Sequence, residues 1–176
     1  MKLNYSLFSK RLFFRTLTKK DVGEKYLNWL KDNKITRFLE TRFENQTKKE
    51  IITYVKKSNK SNNILLLGIF LKDQNIHIGN IKICSISWHH KHCTLGILIG
   101  DRQAHNQGYA TETILRISQF CRNRLKMQKV CAGLYKNNIA SKKAFKKAGF
   151  IVEGVQKQHW KEQNKRVDGL LMAKTF

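Results

Sequence analysis

One stretch of the chain has the order of residues needed to hold a phosphate. It runs Thr94-Leu95-Gly96-Ile97-Leu98-Ile99-Gly100-Asp101-Arg102-Gln103-Ala104-His105-Asn106-Gln107-Gly108-Tyr109-Ala110-Thr111-Glu112. The apolar part reads as a buried strand, a polar loop follows, and a helix is expected to open at Gly108. The first amides of a helix have no partner within it and carry the positive end of its dipole. A pyrophosphate fits there, and glycine at 108 lets the backbone approach it closely. By composition alone the signal is weak, because a small residue at a helix start more often serves packing.

A second cluster, His89-His90-Lys91-His92-Cys93, offers imidazoles and a thiol. Adjacent side chains in a turn diverge, and Lys91 repels a cation. A solvated hairpin turn is expected, with no metal. Cysteines 84, 93, 121 and 131 form no C-x-x-C pair, and free thiols are expected.

The elements that position the loop follow from periodicity. Residues 12–17 read as a first strand, after which Thr18 or Asp21 can cap a helix carrying Val22, Tyr26, Trp29 and Leu30 on one face. Thr47-Lys48-Lys49-Glu50 resembles a capping box, opening a second helix. Strands are expected over 64–71, 76–88 and 94–100, a long helix over 108–125, a strand over 130–135 and a helix over 139–148 stopped by Gly149. Strands over 150–155 and 170–176 close the chain. This order is a mixed α/β fold, and residues 1–176 read as a single domain.

The chain has 176 residues, 41% of them hydrophobic, enough for a packed core. No apolar run is long enough to cross a bilayer, and the first ten residues lack a signal-type apolar stretch. A cytoplasmic protein is expected, monomer or homodimer. The formal net charge of +23 favours anionic partners and disfavours polycationic ones. Part of that excess is also accounted for by lysines on solvated faces.

The loop resembles the acetyl-CoA signature of the GNAT superfamily, Q/R-x-x-G-x-G/A, read here as His105-Asn106-Gln107-Gly108-Tyr109-Ala110. Gly108-Tyr109-Ala110-Thr111-Glu112 is similar to the RimJ/RimL-like branch. So is the block from Asn137 and Asn138 through Ser141 and Phe145 to Gly149-Phe150, followed by Glu153-Gly154. His105 stands where Gln or Arg is usual and Asn106 where Gly is common. Both are expected to serve through their backbone N–H.

The resemblance implies a GNAT-like fold: a mixed, mostly antiparallel sheet flanked by helices and splayed into an acetyl-CoA groove. It implies acetyl-CoA as co-substrate without a metal. Cofactor contacts are expected from Ile97, Leu98, Ile99, Gly100, His105, Asn106, Gln107, Gly108, Tyr109, Ala110, Thr111, Asn138 and Ser141. Many family members protonate the departing thiolate with a tyrosine at the register held here by Phe145, which cannot do so. The RimL-like branch places a serine earlier, and Ser141 matches it. A base must take the amine proton. Glu40, Glu153 and Glu162 are candidates, and the sequence does not choose among them. Ser141 and Glu153 also have plainer readings: a serine satisfying backbone in a first turn, and a glutamate pairing with a surface lysine. Glu112 reads as an acidic residue favoured by the helix dipole.

The acceptor is expected between the loop 37–42 and the segment 159–168, which Arg37, Arg42, Lys161, Lys165 and Arg166 make basic, with His159 as a further contact. The stretches 26–30 and 37–40 resemble RimL-like proteins that acetylate nucleotide-linked amino sugars. A small-molecule amine of that kind, a ribosomal-protein N-terminus and a basic nucleic-acid-binding module on the same scaffold are the competing readings. No RNA-binding or zinc-finger motif supports the last of these.

Overall fold

In the computed structural model, residues 5–44, 46–162 and 164–176 are described. The first four residues, part of the stretch read as lacking a signal, lie outside them, as do Asn45 and Gln163.

The elements run β1 (Ser6–Phe8), β2 (Leu12–Thr16), α1 (Glu24–Lys31), α2 (Asn33–Thr36), α3 (Lys48–Lys60), β3 (Leu65–Leu71), β4 (His77–Ser87), β5 (His92–Ile99), α4 (Tyr109–Asn123), β6 (Lys129–Tyr135), α5 (Ile139–Lys147), β7 (Ile151–Glu162) and β8 (Lys165–Thr175). Among the described residues the strands form one eight-stranded sheet in the order β1-β2-β3-β4-β5-β6-β8-β7. Every neighbouring pair is antiparallel except β5–β6. This is the expected mixed, mostly antiparallel α/β sheet.

Alternation along the strands assigns helices to faces. Leu65, Leu67 and Ile69 enter one core with α4 and α5 residues such as Ile114, Ile117 and Phe145. Leu66 and Phe70 enter the other, with Tyr26, Trp29 and Leu30 of α1 and Ile51 and Val55 of α3. The capping box at Thr47 forms: its hydroxyl accepts the Glu50 N–H, and the Glu50 carboxylate accepts the Thr47 N–H.

Three local expectations change. Thr18 caps a 3₁₀ turn, Lys19–Asp21, and the helix begins later, behind Gly23. The hairpin β7–β8 runs well beyond 155 and starts before 170, because register shifts between Gln156 and Trp160 carry a polar sequence through the pairing. The strand β1 was not foreseen: three residues are too few to show a period.

Candidate functional site

The parallel pair is where the sheet opens. His92, Cys93 and Thr94 pair with Lys129, Val130 and Cys131, and pairing then stops. Beyond that point β5 follows β4 as far as Ile99 opposite Gly79, and β6 follows β8 as far as Tyr135 opposite Gly169. Each strand keeps its antiparallel neighbour, so the two part and leave a cleft. The expected splay between 94–100 and 130–135 is present.

Backbone alternation decides what β5 shows to the cleft. The Gly100 N–H donates to the Ile78 carbonyl, so Gly100, and by alternation Leu98, bond toward β4. Ile97 and Ile99 turn their polar groups toward the cleft. Of the four predicted strand residues, two therefore offer backbone there. Gly100 has a packing reason instead, since a Cβ on it would lie 2.1 Å from the Trp29 ring.

The loop after β5 contains a 3₁₀ turn, Arg102–Ala104, capped by Asp101, whose carboxylate also pairs with Lys25 at 2.6 Å. The His105 N–H donates to the Arg102 carbonyl within this turn. It therefore does not serve through its amide as expected. Its ring acts instead: Nε2–H donates to the Ile99 carbonyl at 2.8 Å, latching the loop to the strand. The amides of Asn106, Gln107 and Gly108 have no acceptor among the described residues. Asn106 (φ 60°) and Gly108 (φ 79°) are both left-handed, a conformation that turns successive amides outward into an anion-binding hollow. Gly108 is the N-cap of α4, and Tyr109, Ala110 and Thr111 form its first turn.

Arg11, on the β1–β2 turn, was missed as a candidate. Its guanidinium lies 4.4 Å over the Tyr109 ring, donates to the Gln107 carbonyl at 3.0 Å and pairs with Glu112 at 2.7 Å. Glu112 also accepts the Arg11 N–H and the Ser9 hydroxyl, both at 2.8 Å. It ties the turn to the helix, a role beyond the dipole effect expected. Burial pushes its carboxyl up, but these donors outweigh burial and hold it below its ordinary value. Alongside runs a groove of about 580 Å³ lined by Lys10, Gly108, Thr111, Leu115, Arg116 and Lys147.

Asn138 caps α5: its Oδ1 accepts the Ser141 N–H at 3.1 Å. The Ser141 hydroxyl is half-buried and has no partner among the described residues, so it does not satisfy backbone. Phe145 is buried in the core against Phe150.

On the opposite face of the sheet sits a second cluster. Val130, Ala132 and Leu134 of β6 point into the core with α4 and α5, so Tyr135 points the other way. Its ring stacks on Trp160 at 4.9 Å and meets Phe38 at 5.5 Å. Its hydroxyl donates to Glu40 at 3.2 Å and accepts from Arg42 at 2.9 Å. Burial and the Glu40 charge push the phenol up from its ordinary value. Beside it, Arg37 pairs with Glu162 at 2.7 Å, and the Asn137 amide donates to the same carboxylate at 2.6 Å. Arg37 in particular holds the Glu162 carboxyl below its usual range. Trp160 reaches Tyr135 because residue 169 is glycine: a Cβ there would lie 2.9 Å from its indole nitrogen.

Lys161, Lys165 and Arg166 are exposed on the same hairpin, and His159 stands edge-on to Trp160. Glu153 is elsewhere: it pairs with Lys129 at 2.7 Å, at the end of β6 still joined to β5. The structure does not bring it to Ser141. His89, His90 and Lys91 occupy the β4–β5 turn while His92 and Cys93 open β5, and the four cysteines are free. Among the described residues no helix is long and apolar enough to cross a membrane.

Among solved structures, the ribosomal-protein α-N-acetyltransferase RimL in complex with coenzyme A aligns with a TM-score of 0.87 at 17% identity, over 98% of both chains. The spermidine N-acetyltransferase of Vibrio cholerae, bound to CoA and spermine, aligns at 0.84 and 18% identity, over 95% of this chain and 96% of its own. A microcin self-immunity acetyltransferase bound to acetyl-CoA and AMP aligns at 0.82 and 18% identity, over 96% and 94%. No curated protein sequence matches significantly. The sequence itself matches the acetyltransferase (GNAT) domain over residues 11–151. The parted parallel pair beside a helix start agrees with the groove that the sequence resemblance implies, and the chain belongs to the GNAT acetyltransferase family.

Proposed function

We propose that this acetyltransferase acts on a primary amine carried by an anionic small molecule, with a nucleotide-linked amino sugar as the class its charge fits best. Acetyl-CoA is the acetyl donor in this family. The free amides of Asn106, Gln107 and Gly108, with Arg11 beside them, suit its pyrophosphate. Lys10, Arg116 and Lys147 give the adjoining groove a charge that suits further phosphate. Ile97 backbone groups suit the pantetheine amides.

The observation that carries the reading is the division of labour across the cleft. Anion-binding amides and the free Ser141 hydroxyl lie on one face, and Glu40, Tyr135 and the arginines lie on the other. Ser141 is suited to donate to sulfur as the carbon–sulfur bond breaks. Glu40 is suited to accept the amine proton; Glu153, held by Lys129 at the joined end, is not. The acceptor cluster is charge-balanced at its centre, where Arg37 pairs with Glu162 and Arg42 and Glu40 share the Tyr135 hydroxyl, and basic at its rim, where Lys161, Lys165 and Arg166 are exposed. A balanced centre suits an amine, a basic rim suits a diphosphate, and the stacked rings suit a planar base. A neighbour of the same fold is seen in complex with acetyl-CoA and AMP.

Thiol release from acetyl-CoA, measured with a UDP-linked amino sugar, an N-terminal peptide and spermidine, tests the assignment. The amino sugar is expected to have the highest kcat/KM. Preference for the peptide would move the acceptor to a protein N-terminus, and preference for spermidine would overturn the charge argument.

A further inference from the structure

The Tyr135 oxygen has one proton to give and two lone pairs. The proton goes to Glu40 at 3.2 Å, and one lone pair takes the Arg42 N–H at 2.9 Å. One lone pair remains. The ring is only 3% exposed and is clamped by Trp160 and Phe38, so the hydroxyl is fixed in place. It stands at the end of β6, four residues past the last pairing with β5, where the cleft is open. The Tyr135 carbonyl accepts the Asn138 N–H at 2.9 Å, which ties it to the start of α5 and to Ser141. Glu40 itself is exposed and can exchange a proton with solvent.

We propose that Tyr135 relays the acceptor's proton to Glu40 and is a catalytic residue of the transfer. The inference rests on the acetyl-transfer reading above. An ammonium N–H bond breaks toward the Tyr135 oxygen while the phenol proton passes to the Glu40 carboxylate. Glu40 then releases that proton to water. The freed amine forms its bond to the acetyl carbon, the carbon–sulfur bond breaks with its electron pair on sulfur, and the second amine proton ends on sulfur through Ser141 or water. The phenol never becomes a phenolate, in keeping with the rise that burial and Glu40 impose on it.

Arg42 gives the relay a direction. A fixed cation beside the ammonium disfavours its charged form. Glu40 offsets that repulsion as the amine arrives. The other charged groups facing the phenol are Glu162 and its partner Arg37, which neutralise each other. Lys161 meets Arg42 through its carbonyl.

The test uses Tyr135→Phe, which keeps the stacked ring, and Glu40→Gln, which alters an exposed side chain. The acceptor is the UDP-linked amino sugar or, should that not turn over, the N-terminal peptide or spermidine. Acetyl-CoA affinity is expected to stay within about twofold. Turnover near neutral pH is expected to fall at least tenfold in each variant. The deficit should shrink as pH rises and more amine is free. The double variant should be no slower than either single one, because both remove the same relay. Wild type releasing no thiol with any of the three amines overturns the acetyl-transfer reading and the relay with it. Wild-type turnover, with Tyr135→Phe matching its kcat and pH profile, overturns the relay alone. Should Tyr135→Phe fail to fold, an unchanged kcat and pH profile in Glu40→Gln does the same.

Discussion

The carboxylate of Glu112 holds Arg11 twice, by its backbone amide at 2.8 Å and by its guanidinium at 2.7 Å. Residues 101 apart in sequence are thereby joined beside the amides of residues 106–108. Glu112→Ala should free the β1–β2 turn and let Arg11 leave Gln107. Acetyl-CoA affinity is expected to fall by about tenfold, the equivalent of ~1.4 kcal/mol. Calorimetric titration of folded Glu112→Ala checks this, and unchanged affinity would leave the pair with a structural role only.

Gly108 stands at φ 79°, a region a β-branched residue adopts only under strain of about 1–2 kcal/mol. Gly108→Val should weaken acetyl-CoA binding, since the helix start must shift and its amides with it. A folded variant that binds acetyl-CoA like wild type would show that the pyrophosphate does not lie over this loop.

The free hydroxyl of Ser141 makes a sharper kinetic forecast. Ser141→Ala keeps the N–H bonded to Asn138 and removes only the oxygen. Turnover should drop by about tenfold to a thousandfold, with acetyl-CoA affinity little changed. Equal kcat at saturating substrates would remove Ser141 from the chemistry. Glu153→Gln, made in parallel, should leave kcat as it is.

The acceptor should respond to charge. Nucleoside diphosphates are expected to compete with it, and added salt should raise its KM by screening the basic rim. Initial-rate kinetics at several ionic strengths measure both effects. A KM indifferent to salt, or faster turnover with spermidine, would mean that the exposed lysines play no part in recognition.

Acid should destabilise the fold in two steps. His77 is half-buried against Phe70 and Trp29, and this loss of water holds its imidazole below the ordinary value. The unfolded chain takes up that proton near its usual ~6.5, so stability falls as pH drops below it. Burial would raise the Asp21 carboxyl, but Arg15 and Thr18 bring it down to about 2. Its contribution is complete above the unfolded value of ~3.9 and is lost as pH falls toward 2. Urea unfolding across pH should show both steps, with the first absent in His77→Gln and the second reduced in Asp21→Asn. A single step in wild type would contradict the assignment.

The sequence by itself determined the helix start at Gly108 and the capped start of α5. A glycine at a helix start, the Asn138 cap and the strand before them are local features. Short-range backbone sterics and hydrogen bonding set them, so they are visible in a dozen consecutive residues. The splay was legible only through resemblance, because two strands part only when each has a different partner to follow. Tertiary structure alone decided the rest. Arg11 reaches the loop through β1, too short to show a period. His105 acts through its ring because a turn claims its amide. Glu40, Glu153 and Glu162 look alike as residue types, and only the fold separates them. Glu153 meets Lys129, Glu162 meets Arg37, and Glu40 meets Tyr135. Tyr135 itself joins partners 93 and 95 residues away in the chain. Such contacts depend on which face of β6 is left uncovered by α4 and α5 and on a bulge that turns Trp160 inward, and neither leaves a local trace in the sequence.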